Sequence, residues 1–279
     1  GQWLKETGRH SDIILATKFG YQNQDLQDRK PYSKPSYIRK ALERSLKNLQ
    51  TDYIDIWYQH RVDKEVPIEI VMQTLGEFVK EGKIKYIGLS ECSAETLRRA
   101  KGVPRVGEKL VVVQMEYSMF TLDVEREEFA SAMKDTGVGL MAYSPLNSGL
   151  ASGRYRSRAD FDKDDGRLIL PRFSEENFPK NLVIVDKMQE VGKKVGVTSG
   201  QIALAWILAE HDNFVPIPRC RNPARLEENA IAGEIALSEE DVQVIRQLAK
   251  EADKAFGPRY PLAYIPEGDC NKLTDWKGE

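Results

Sequence analysis

Lys18 ends the apolar run IILATK, and His60 ends IDIWYQH. A lysine at the inner end of such a run must be desolvated or paired, and either changes its proton affinity. A histidine there can donate a hydrogen bond to a carbonyl or move a proton near neutral pH. Each has a plainer reading: a strand-end lysine that snorkels to water, and a histidine that only packs. Both together, closing successive runs, shift the balance toward function. Ser90 and Glu91 close IKYIGLSE and Gln114 lies in VVVQMEY, which suits them to hydrogen-bond an amide of a bound ligand. Tyr143, in LMAYSPL, offers a face for a flat ring or simply fills a core.

A second group is PIPRCRNPARLEEN, where Arg219, Arg221 and Arg225 surround Pro223, a favourable first residue for a helix. Helix N-termini attract anions, so this group implies a ligand such as a phosphate, the alternative being a solvated basic loop. There is no GxGxxG or GxxxxGK[ST] run, so neither a Rossmann nor a P-loop route to a nucleotide is supported.

Elements must hold these groups in place. Six runs rich in β-branched and aromatic residues read as strands: Ile13 to Lys18, Ile54 to His60, Ile84 to Ser90, Val111 to Tyr117, Gly139 to Ser144 and Phe214 to Arg219. Helical stretches separate them, which predicts repeated βα units and a parallel sheet. Ile38, Ala41, Leu42, Leu46 and Leu49 form one stripe of an amphipathic helix. Ile68 to Lys80 forms another, stopping before Gly82, and a third follows Ser93 as N-cap. Thr198 with Gln201, and Ser238 with Asp241, have the spacing that starts helices. Ala151 to Lys180 reads as a long loop, and the Pro/Gly-rich GPRYPLAYIPEGD as a tail from about 255 of one domain spanning 1–279. In a parallel barrel reactive groups sit where strands end, which is where Lys18, His60, Ser90, Gln114 and Tyr143 fall.

Composition narrows the class. Forty-one basic against 43 acidic residues leave no broad cationic surface for nucleic acid, and no apolar run is long enough to span a membrane. Three scattered cysteines, Cys92, Cys220 and Cys270, fit neither a disulfide framework nor a zinc site, so no metal is expected. Without a leader pattern at GQWLKETGRHSD, the expected location is the cytoplasm.

The segments ILATKFG, DYIDIWYQHRVD, GKIKYIGLSECS, VVQMEYS, MAYSPLNSGL and PIP…RLEEN, in this order, resemble the aldo-keto reductase superfamily. With PRF..ENFPKNL at Pro171 to Leu182, the chain is similar to its fungal and plant NADPH-dependent reductases. The resemblance implies a (β/α)8 TIM barrel in which hydride passes from NADPH to an aldehyde or ketone, with a tyrosine supplying the proton. Lys18 matches the lysine that lowers that tyrosine's pKa, and His60 the histidine that orients the carbonyl. Ser90 and Gln114 match the nicotinamide carboxamide contacts, with Glu91 where many members have Asn. Tyr143 matches the residue stacked on the nicotinamide, and Ser144, Pro145, Leu146 and Gly149 lie near the pyrophosphate. Arg221 and Arg225 match the adenosine 2'-phosphate contacts, with Arg219 and Cys220 beside them and Glu228 and Asn229 near the adenine. The family's Asp and Tyr precede the lysine strand and have no counterpart here. The resemblance therefore reads the barrel as incomplete at its N-terminus, about six of eight strands being present, and implies impaired turnover. Tyr21, just beyond Lys18, is the available substitute. The alternative is a non-catalytic NADPH-binding barrel acting as a regulatory or partner protein.

Overall fold

The computed structural model describes residues 1–21, 30–255, 257–260 and 268–279. Every expected strand run forms a strand: β1 (Ala16–Phe19), β2 (Ile54–Gln59), β3 (Ile84–Ser90), β4 (Leu110–Glu116), β5 (Gly139–Tyr143) and β6 (Phe214–Ile217). Strands β1, β2, β3 and β4 pair in chain order, and β5 pairs with β6, each pairing parallel. Helices run between them, the α/β class expected. The largest correction at a strand is β1, which begins at Ala16 because Ile13 closes a 3-10 turn and Ile14 stays 76% exposed.

Two compact units divide the chain. The first comprises Gly1–Gln114, Glu127–Gly139 and Pro266–Glu279; the second comprises Met115–Arg126 and Leu140–Ile265. Residues 261–267, most of the tail motif, lie outside the described residues.

In the first unit, β2 is buried along most of its length, with Ile54, Trp57 and Tyr58 at most 1% exposed. A parallel strand flanked on both sides and covered by helices has no solvent face, so IDIWYQ reads as nearly continuous apolar sequence. After the short α1 (Gln2–Thr7), α2 (Pro35–Leu49) turns Ile38, Ala41 and Leu42 inward as the stripe predicts. Helix α3 (Ile68–Lys80) ends before Gly82, which takes φ +71. The Ser93 hydroxyl accepts the Thr96 N–H (3.0 Å) to start α4 (Ala94–Lys101). Helix α5 (Glu127–Thr136) meets α4 through Arg98 and Asp135 (3.2 Å). At the start of β2, Asp55 accepts from Lys85 (2.8 Å) and the Leu15 N–H (3.0 Å) and bonds His10 (3.0 Å). Burial alone would raise its pKa, yet these partners hold the carboxyl below its ordinary value and tie the entry of β1 to β2.

In the second unit, α6 (Asn177–Val195) overturns part of the long-loop reading, because it begins three residues before Lys180. Pro179 is compatible with that start, since the first-turn N–H groups have no partner within the helix anyway. Before it, the chain passes through 3-10 turns at Arg158–Asp160, Gly166–Ile169 and Pro171–Phe173. Arg172 pins the last of these, donating to Glu116 (3.2 Å) and to the Phe120 carbonyl (2.5 Å). Helix α7 (Ser199–Glu210) starts with the expected box, Thr198 and Gln201 exchanging side-chain bonds, and buries every residue from Ser199 to Ile207. Helix α8 spans Pro223–Ile231, and α9 (Glu239–Ala255) starts at Ser238, whose hydroxyl accepts the Asp241 N–H (3.1 Å).

Glu125 is the polar hub of this unit. It accepts from the Tyr117 hydroxyl, bonds His211 (3.1 Å) and takes two bonds from Arg246 (2.9 and 2.7 Å). Burial would raise its pKa, but the bonds from His211, Tyr117 and Arg246 prevail and bring it down to about 2. A depressed carboxyl stabilises the fold fully above its unfolded pKa and loses that contribution as pH falls toward the folded one. Glu125→Gln is therefore expected to cost roughly 2 kcal/mol at pH 7. In urea denaturation the gap between the two proteins should close as pH drops from 4.5 toward about 2.

Candidate functional site

The first unit gathers Lys18, His60, Ser90, Glu91 and Gln114 at the C-terminal ends of β1 to β4. Parallel register sets two rows. In the lower row Lys18 pairs with Tyr58, Tyr58 with Gly88, and Gly88 with Val112; in the upper row Ser90 pairs with Gln114. His60 follows β2 two residues beyond Tyr58, and its N–H donates to the Phe19 carbonyl (2.7 Å). Gly20 makes this approach possible, since at φ +128 a Cβ would lie 3.2 Å from the His60 nitrogen. The Tyr21 ring meets the His60 ring edge-on at 5.1 Å.

Lys18 is half-buried, with its Nζ 5.9 Å from the Tyr58 ring centroid. Burial first, and the Arg61 charge second, hold it below the ordinary lysine value. Ser90 and Gln114 are buried, and Glu91, also buried, takes φ +51 while its N–H donates to the Gln114 carbonyl (3.2 Å).

Two residues of this group were not picked out from the sequence. Tyr58 is 1% exposed, and among the described residues its hydroxyl has no partner. Its ring lies over Gly88, where a Cβ would come within 2.3 Å of the ring carbons. Period-two alternation back from His60 would have found it. Arg61, the second residue of HRVD, donates to the His60 carbonyl (2.9 Å) and reaches within 3.5 Å of the Ser90 hydroxyl. Asp63, the last of HRVD, is a brace whose oxygens accept the Ser33 (2.7 Å) and Glu65 (3.0 Å) N–H groups.

The second unit carries the remaining candidates. Tyr143 ends β5, its carbonyl accepting the Tyr117 N–H (3.3 Å). Ser144, Pro145, Leu146 and Gly149 follow in a turn with positive φ at Ser144 (53), Asn147 (50), Ser148 (55) and Gly149 (92). Non-glycine residues rarely adopt this conformation, and a run of them marks a loop held in one shape by its surroundings. Asn147 donates to the Ser118 hydroxyl (3.3 Å). The Arg167 guanidinium lies over Tyr155 (4.3 Å) and Phe161 (4.6 Å) while donating to the Ser148 carbonyl (3.2 Å).

Arg219, Arg221 and Arg225 are exposed at the start of α8, with Cys220 half-buried between the first two. Asn222 caps this helix by accepting the Ala224 N–H (2.9 Å), and Pro223 is its first residue, as expected. No ion pair engages the three arginines among the described residues. Glu228 accepts from the Thr198 hydroxyl (2.8 Å), and Asn229 follows it, half-buried.

Residues 1–250 match the model of the aldo/keto reductase family. The chain belongs to that family. It is 45% identical over 255 residues to aldo-keto reductase str7 of Strobilurus tenacellus, covering 91% of this chain and 73% of that protein. It is 44% identical over 264 residues to aldo-keto reductase yakc [NADP(+)] of Schizosaccharomyces pombe, covering 94% and 76%. A probable aldo-keto reductase 1 of Glycine max is 38% identical over 93% of this chain and 73% of its own length. Among solved structures, the thermostable aldo-keto reductase Tm1743 with the inhibitor epalrestat superimposes with a TM-score of 0.68 at 28% identity, covering 88% of this chain and 75% of that one. Membership of this family makes the protein an oxidoreductase of carbonyl compounds. No helix among the described residues is long and apolar enough to cross a membrane.

The contact between Tyr58 and Gly88 is testable. Gly88→Ala should destabilise the protein by about 1–3 kcal/mol in denaturant titration, and a smaller residue at the facing position, Tyr58→Val, should recover part of that loss.

Proposed function

We propose that the protein reduces an aldehyde or ketone to the alcohol with NADPH, Lys18 and His60 acting at the carbonyl. The observation that carries this reading is a half-buried lysine, with no acidic partner among the described residues, at the end of the strand beside His60. Within this family that pair ends successive strands, and a desolvated ammonium and an imidazole are suited to polarise a carbonyl oxygen.

The donor set fits the cofactor. The Ser90 hydroxyl and Gln114 amide have the donors and acceptors a carboxamide needs, with Glu91 next to them. Tyr143 supplies a ring for stacking. The turn through Ser144, Pro145, Leu146 and Gly149 is the part of the chain assigned to the pyrophosphate, with the Arg167 guanidinium donating to the Ser148 carbonyl beside it. Arg221 and Arg225, with Arg219 and Cys220 beside them, suit a phosphomonoester, the group by which NADPH differs from NADH. Glu228 and Asn229 offer acceptors to an adenine. When bound, NADPH would supply the hydride; Lys18 and His60 orient the carbonyl, and the proton that completes the alcohol comes from Tyr21, whose ring meets that of His60, or from solvent. The yakc relative, named for NADP(+), supports the same choice.

NADPH oxidation by the purified chain over a panel of aldehydes tests the reading. Lys18→Met and His60→Ala should each lower kcat/KM by about 10²- to 10⁴-fold. Turnover that survives both changes would count against these roles. Replacing Arg221 and Arg225 together by alanine should weaken NADPH binding by at least about tenfold while leaving NADH binding nearly as it was, read by quenching of protein fluorescence.

A further inference from the structure

Residues 268–272 form neither helix nor strand, yet they touch both turns that carry candidate residues in the first unit. At one end the Gly268 carbonyl accepts the Ser93 N–H (2.9 Å), in the turn that follows Ser90 and Glu91. At the other the Asn271 N–H donates to the Lys64 carbonyl (2.9 Å), in the turn that begins at His60. Gly268 is pressed against the first turn, where a Cβ would lie 2.5 Å from the Ser93 nitrogen and 2.8 Å from the Cys92 carbonyl carbon. A segment without regular structure loses backbone entropy when it is fixed, and its carbonyls need donors from elsewhere. Arg99 of α4 supplies them, donating to the Cys270 (3.1 Å) and Asn271 (2.7 Å) carbonyls. The same guanidinium makes two bonds, both 2.9 Å, to the Glu69 carboxylate in the first turn of α3, and the two side chains are only 18% and 19% exposed. Burial would raise the Glu69 pKa, but Arg99 holds it below its ordinary value, so the pair stays charged.

We propose that Arg99 is a positioning residue for the cofactor: by fixing residues 268–271 against both turns, it holds Ser90 and Glu91 in the shape that receives the nicotinamide carboxamide. The proposal rests on the reading of Ser90, Glu91 and Gln114 given above. Glu91 is what needs holding, because its φ of +51 is a conformation that non-glycine residues rarely keep unless their surroundings impose it. Its own N–H is fixed by the Gln114 carbonyl of β4 (3.2 Å), and two residues further on the turn is fixed again by Gly268. That second anchor is only as firm as the segment providing it, and Arg99 supplies two of the segment's hydrogen bonds. A site shaped before its ligand arrives loses less entropy on binding. Loosening the anchor therefore weakens the hold on the nicotinamide and leaves the adenosine phosphate end, read by Arg221 and Arg225 of the second unit, as it was.

The test compares NADPH with 2',5'-ADP, which carries the 2'-phosphate but no nicotinamide, binding being measured by calorimetry on the full chain. Arg99→Ala should weaken NADPH binding by about 5- to 50-fold. The same variant should leave 2',5'-ADP binding within about twofold of wild type. Arg99→Lys, which can keep part of the bonding to Glu69 and the carbonyls, should restore part of the NADPH affinity. Gly268→Ala leaves the Arg99–Glu69 pair in place but crowds Ser93, and should also weaken NADPH alone. Equal weakening of both ligands would make the arginine a support of the fold only, and unchanged NADPH binding in Arg99→Ala or Gly268→Ala overturns the proposal as well. In the wild-type chain, hydrogen exchange at the Ser93 and Asn271 amides should slow with NADPH and not with 2',5'-ADP. Equal protection by the two ligands counts against the proposal even where a variant fails to fold. A wild-type chain that binds NADPH no more tightly than 2',5'-ADP would sink the reading of Ser90 and Gln114 as carboxamide contacts, whereas a preference that survives both variants sinks the role of Arg99 alone.

Discussion

Parallel register governs the C-terminal strand ends of the first unit, where the candidate site lies. A strand pairs with its neighbour residue by residue, and its side chains alternate between faces, so placing Lys18 opposite Tyr58 also places Tyr58 opposite Gly88 and Ser90 opposite Gln114. A slip of one residue in β2 would turn His60 and Tyr58 away from Lys18 and present Trp57 and Gln59 instead. Burial of Ile54 and Trp57 to 0% makes that slip costly, which is how an apolar core fixes a polar site it never touches. Gly88 belongs to the same constraint, because only a residue without Cβ leaves space for the Tyr58 ring in that row.

Polar anchors hold the two units internally. Asp55 ties the entry of β1 to β2, and Glu125 joins Tyr117, His211 and Arg246. In both carboxylates hydrogen bonding outweighs desolvation, so their charge is retained where burial alone would expel it. Among the described residues no ion pair engages Lys18, Arg61, Arg219, Arg221 or Arg225.

Much of the local architecture was legible in the sequence. The Ile38 to Leu49 stripe, the Ser93 cap and the Thr198–Gln201 box each became helices, because hydrophobic periodicity and capping act over a few residues and need no distant partner. The six strand runs were found for the same reason, with ends trimmed where pairing stops. Helix α6 was read as loop through Lys180 because its first turn, NFPK, carries a proline and little periodicity. Ile13 and Ile14 were read as strand because β-branched composition is indifferent to whether a neighbour is there to pair with.

The sequence by itself determined which residues end strands, and so Lys18, His60, Ser90, Gln114 and Tyr143 could be chosen from pattern and resemblance alone. It did not determine that Arg61 would bond the His60 carbonyl, that the Tyr58 hydroxyl would be buried without a partner among the described residues, or that Glu228 would bond Thr198. Those outcomes depend on contacts between segments far apart in the chain, and on which polar groups find partners after packing. Short-range pattern encodes the elements; charge balance at a site is a property of the assembled neighbours, and only tertiary structure supplies them.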